Sequence, residues 1–188
     1  MICTTLNAIR EHRPCADGWA KLLAYLGKTG SDDEPLPLVV ILDSNGLDDA
    51  LWALRAVTGE DARIRRYAVW CARQVQYLIT DTRLLDLLDV VERHADGLAT
   101  DDDLVKASTT AKASIWAQLA VRSATESTSW NAARNTAHDA AKAVAWEAGE
   151  TTAGGVVSAS GEVAWIVMRE RQAEKFREVF GEQEVGNE

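Results

Sequence analysis

The sequence predicts an all-α fold, a multi-helix bundle of about seven or eight helices, and three observations carry that expectation. Its three prolines all precede residue 38, so beyond that point proline bars no segment from helix. Apolar residues recur at spacings of three and four through most of the chain, the period of a helix with one buried face. Val39-Val40-Ile41 favours strand by propensity, but no second run stands out as its partner, and a lone strand leaves its backbone unpaired.

The bulk numbers suit one domain, or one domain with a helical extension. A chain of 188 residues can bury roughly 70% of its extended surface. Hydrophobic content of 47% and charged content of 26% are ordinary, whereas seven tryptophans supply unusual packing area or binding anchors. The net charge of −9 is spread about evenly over both halves. Such a chain is repelled by nucleic-acid backbones and anionic membranes, suits a partner with a basic surface, and is also simply kept in solution. Cys3, Cys15 and Cys71 are odd in number and widely spaced. With no signal peptide or long apolar run, they suit free thiols in a reducing cytoplasm.

Residues 1–13 are mixed and suit a frayed end or a short helix. Pro14 opens the next helix, with Trp19, Leu22, Leu23 and Leu26 on one face and Gly27 as its stop. Pro35–Leu42 follows the acidic loop 30–34 as a short buried helix. Ser44-Asn45-Gly46 turns the chain into a helix whose first turn carries Asp48 and Asp49, and whose inner stripe is Leu47, Leu51, Leu54 and Val57. Residues 61–79 form the clearest amphipathic helix, burying Ile64, Tyr67, Ala68, Cys71, Val75 and Leu78. Thr80 or Asp81 caps the next, with Leu84, Leu87, Leu88, Val91 and Ala95 inward, His94 in the last turn and Gly97 beyond.

Thr100-Asp101-Asp102-Asp103 is a helix-start signal. Composition then shifts to Ala, Ser and Thr with a tryptophan every fourteen to sixteen residues, giving helices over 101–125 and 129–149. Gly154-Gly155 suggests a break. A last helix over 162–180 carries Val163, Ile166, Ala173, Phe176 and Phe180, and 181–188 reads as a disordered tail. The organisation expected is an N-terminal bundle over 1–100 with Ala/Trp-rich helices over 101–180 packed on it as one folding unit.

Catalytic signatures are weak. Gly27-Lys28-Thr29 resembles the end of a P-loop, but Leu22 stands where the motif needs glycine, and the flanking elements are wrong. Asp43, Asn45, Asp48 and Asp49 could bind a divalent cation, yet lack EF-hand spacing and have a sufficient role in helix-end electrostatics. His12 and Cys15 form an HxxC fragment without a second half. A Cys71–His pair could meet only in space, and the position of Cys71 favours the core. Ser158 and Ser160 lack a nucleophile elbow. Arg63, Arg65, Arg66 and Arg73 could clasp an anion or form a solvated face. No catalytic, metal or cofactor residue is assigned, and no cofactor is expected.

Pro14–Leu23, Leu26–Thr29, Asp33–Leu36, Ile41–Trp52, Ala68–Val75 and Glu92–Thr100 together resemble a family of small uncharacterised phage and prophage proteins with Ala/Trp-rich helical C-terminal halves. The segments around 70–75 and 92–100 more weakly resemble all-helical immunity proteins. The first resemblance implies a phage-encoded, non-enzymatic binding protein that inhibits a host defence component by occlusion, as anti-CRISPR proteins do. The second implies an immunity protein that neutralises a toxin. A small-ligand-binding protein, or an enzyme with an unrecognised site, is the third class. The partner expected is a host or toxin protein with a basic surface, without direct nucleic-acid or membrane binding, and self-association remains open. The residues assigned to partner contact are Asp43, Asp48, Asp49, Trp52, Trp70, Asp101, Asp102 and Asp103.

Overall fold

A computed structural model describes residues 1–79, 81–108, 115–148 and 159–181. The all-α expectation holds, with ten α-helices among the described residues rather than seven or eight. The larger number arises because Leu6–Glu11 is a helix of its own and the span read as one helix over 101–125 carries two described helices. The chain divides into two compact units: Met1–Glu60 with the chain from Ala173 onward, and Asp61–Gln172.

In the first unit, β1 (Cys3–Thr4) pairs antiparallel with β2 (Leu36–Pro37). This corrects the expectation that the Pro35–Leu42 run has no strand partner. The Leu38 amide donates to the Ile2 carbonyl at 3.1 Å, and pairing ends there because Leu38 opens a helix and the Ile2 amide donates to the Phe180 carbonyl instead. α1 (Leu6–Glu11) is capped by Thr5, whose hydroxyl accepts from the Ala8 amide. α2 (Ala16–Leu26) starts two residues beyond Pro14, with Cys15 as its cap, and ends at Gly27 in the left-handed conformation. α3 (Leu38–Asn45) is the expected buried helix, placing Leu38, Ile41 and Leu42 inward.

The joint to α4 (Leu47–Ala53) is a single residue, Gly46, at φ 95° and ψ 177°, a conformation that excludes an L side chain. Its amide donates to the Leu42 carbonyl and its carbonyl accepts from Ala50, so it ends one helix and begins the next. α4 is shorter than expected, tightening into a 3-10 turn over Leu54–Ala56; Leu47, Leu51 and Leu54 are buried and Val57 is half-buried. Phe176 and Phe180, both fully buried, pack with ring centroids 4.4 Å apart. Burying each stabilises the unit by roughly 1.5–3 kcal/mol.

In the second unit, α5 (Asp61–Arg73) buries Ile64, Tyr67, Ala68 and Cys71 as the pattern required, but ends before residue 79. The Gln74 amide is shared between the Trp70 and Cys71 carbonyls, and a 3-10 turn follows over Gln76–Leu78. α6 (Thr82–Ala95) is capped by Asp81 and buries all five expected residues. α7 (Asp101–Ser108) and α8 (Ile115–Ala124) occupy the span read as one helix, with 109–114 outside the described residues. α9 (Ser129–Ala148) buries Ala133, Ala137, Ala140 and Ala141, small residues that let α8 and α5 approach closely.

α10 (Ala159–Gly181) contributes residues to both units. Its expected stripe needs correction: Val163 and Ile166 are exposed at 60% and 50%, while Met168, Gln172, Phe176 and Phe180 face inward. Gln172 is buried without penalty because its amide donates to the Ala137 carbonyl at 2.7 Å and its side-chain carbonyl accepts from Arg169. The expected break at Gly154-Gly155 and the tail after 181 lie outside the described residues.

Candidate functional site

The first unit carries a cleft of about 130 Å³ where α2 crosses the α3–α4 joint. Ile9, Leu22, Ile41 and Ala53 make it apolar, and the half-buried Trp19 and Trp52 line it from α2 and α4. Its polar groups are Cys15, Asn45 and Asp49.

A hydrogen-bonded cluster fixes these groups. Asn45 Nδ2 donates to the Gly18 carbonyl at 2.8 Å and to Asp49 Oδ2 at 2.7 Å. Ser44 Oγ donates to Asn45 Oδ1 at 2.8 Å, which sets the amide's orientation. The Gly18 amide donates to Cys15 Sγ at 3.4 Å. Gly18 sits inside a helix, where glycine is ordinarily unfavourable by about 0.5–1 kcal/mol relative to alanine. The reason is space: a Cβ there would lie 2.7 Å from Asp49 Oδ2 and 3.1 Å from Cys15 Sγ.

The residues assigned to partner contact occupy different settings. Asp49 and Trp52 meet in the cleft. Asp48 is exposed in the first turn of α4, and exposed Asp43 accepts from the Arg177 guanidinium at 2.8 Å. Trp52 holds the Arg55 guanidinium over its ring, 4.2 Å from the centroid. In the second unit, Trp70 is half-buried and stacks with Tyr67 at 6.4 Å. Asp101 lies 2.9 Å from His94 Nε2, and Asp102 is exposed. Asp103 completes a capping box: its carboxylate accepts from the Thr100 amide and hydroxyl, which hold its pKa below the ordinary value.

Other motifs take structural roles. Lys28, in the P-loop-like fragment, bridges Asp32 and Glu34 at 2.5 Å each. The Asp32 contact, then that of Glu34, raises the Lys28 pKa and that of Asp32 is lowered in return. Arg65 donates to the Glu126 and Ser127 carbonyls, Arg66 pairs with Asp96, and Arg73 bridges Asp89 and Glu92. These three guanidiniums therefore tie α5 to its own unit. Cys71 is fully buried, and desolvation pushes its thiol up to about 12, far from a nucleophile's range.

Asp49 and Trp52, assigned from the sequence to partner contact, line the cleft together with Cys15, Gly18 and Trp19, which sequence reasoning did not pair with them. The signal available was the glycine within a helix, which marks a close backbone approach. Among the described residues, no helix is long and apolar enough to cross a membrane. No protein-family model, curated protein or solved structure matches this chain.

Proposed function

We propose that the protein is a non-enzymatic inhibitor that binds and occludes a basic surface of another protein. In the phage setting that the sequence resemblance implies, that surface belongs to a host defence component. One observation carries the reading: a cleft walled by Trp19 and Trp52 has the Asp49 carboxylate in its lining. Tryptophan is the residue type most enriched at the energetic centres of interfaces, where a well-packed pocket excludes water. Residues 1–60 add nine carboxylates against five Lys and Arg, an imbalance that steers a basic partner toward this unit.

The test is expression of the tagged full chain in a host under phage challenge. Host immunity should fall, and a protein with a basic surface should co-purify in a complex that weakens as salt rises. Trp52→Ala should restore immunity and release the partner. Unchanged immunity together with no co-purifying protein would remove the support for this function.

A further inference from the structure

Resting on that reading, we infer that the cleft takes one arginine side chain of the partner. Its alkyl stem lies against Trp19 and Trp52, and its guanidinium meets Asp49.

Size sets the first limit. An engineered cavity of about 150 Å³ holds a single benzene ring, so a cleft of about 130 Å³ fits one side chain rather than a helix or strand. Chemistry sets the second. The walls are largely apolar, and the carboxylate stands among them. A purely apolar occupant would strip water from Asp49 and leave its charge without a counter-ion, and an anionic one would be repelled. The occupant that satisfies both parts has an apolar stem and a cationic head, which means lysine or arginine.

Arginine fits better. Its flat guanidinium is more weakly hydrated than an ammonium and stacks on indole rings. Trp52 already accepts one such partner within the chain, Arg55 at 4.2 Å. The acceptor is also fixed beforehand. Asn45 holds Asp49 Oδ2 at 2.7 Å, and among the described residues no hydrogen bond occupies Oδ1. Gly18, by lacking a Cβ, leaves the carboxylate room to sit there.

The test uses the full chain labelled with ¹⁵N, titrated with Nα-acetyl-arginine N-methylamide and followed by NMR. Saturable shifts are expected at the Trp19 and Trp52 indole N–H groups and at the Gly18 amide. The neutral citrulline analogue should bind at least about fivefold more weakly, and Asp49→Asn should weaken the arginine probe by a similar factor. Gly18→Ala, which favours the helix but crowds the carboxylate, should weaken it as well.

Equal affinity for the citrulline analogue would overturn the inference, as would shifts scattered outside the cleft. Tighter binding of n-propylguanidine than of the blocked arginine would also overturn it, pointing to a free small cation. The two proposals fail separately. If the probe binds as described but no partner is found, the inhibitor reading falls alone. If a basic partner binds yet survives Asp49→Asn, and the probe does not bind, the arginine insertion falls alone.

Discussion

Replacing Asn45 by alanine removes the side chain that ties α2 to the α3–α4 joint. Three hydrogen bonds go with it: to the Gly18 carbonyl at 2.8 Å, to Asp49 at 2.7 Å, and from Ser44 at 2.8 Å. A neutral bond contributes about 0.5–1.5 kcal/mol net and one to a charged group about 1.5–3 kcal/mol. Asn45 is only half-buried, so water replaces part of what is lost and the low end of each range applies. Ser44 can turn its hydroxyl to the Ile41 carbonyl at 3.3 Å instead, and alanine recovers roughly 0.5 kcal/mol of helix propensity. The net cost is roughly 2 kcal/mol, or a fall in Tm of about 4–8 °C for a chain of this size. Urea unfolding followed by tryptophan fluorescence measures it, with an unchanged m-value showing that the same surface unfolds. A loss below about 0.5 kcal/mol would show that the amide does not organise the joint. Asn45→Asp should cost more, because it sets a second carboxylate against Asp49.

Three further outcomes follow. Thr136 is fully buried and its hydroxyl has no hydrogen-bond partner among the described residues, so Thr136→Val should stabilise by about 1 kcal/mol in urea unfolding; destabilisation would reveal an unseen partner. The Cys71 thiol is raised by burial to about 12 from an ordinary value of 9.0. Its stabilising contribution is therefore full below about pH 9 and is lost as pH rises toward 12, with a slope approaching 1.4 kcal/mol per unit between those values. Cys71→Ala should flatten this alkaline loss, and an unchanged slope would place the cause elsewhere. With a thiol reagent at pH 8, the exposed Cys15 should react in the folded protein while Cys71 reacts only on unfolding.

Much of the fold was readable because helices advertise themselves locally. Thr100 and Asp103 form the capping box their spacing announced, Gly46 and Gly97 turn the chain with positive φ, and the α5 and α6 stripes are buried as read. What failed depends on distant contacts. Nothing near Cys3 marks it as the strand partner of Pro37, since pairing two residues leaves no periodic trace. On α10 the apolar residues surround the helix, so periodicity could not say that Val163 faces out while the polar Gln172 faces in. The candidate site was half visible. Asp49 and Trp52 share a helix and could be read together, whereas Cys15, Gly18 and Trp19 reach them only because α2 folds back on the joint.

The claim that this cleft is where a partner docks is tested most directly by photocrosslinking in host cells. A benzophenone amino acid replaces Pro14, which lines the cleft beside the two indoles, in one variant and the exposed Tyr25, outside the cleft lining, in another. The variant at position 14 should give one dominant adduct, mapped to an arginine-bearing segment of a single host protein, and position 25 should not. No adduct from position 14, or the same adducts in equal yield from both positions, would contradict docking at the cleft.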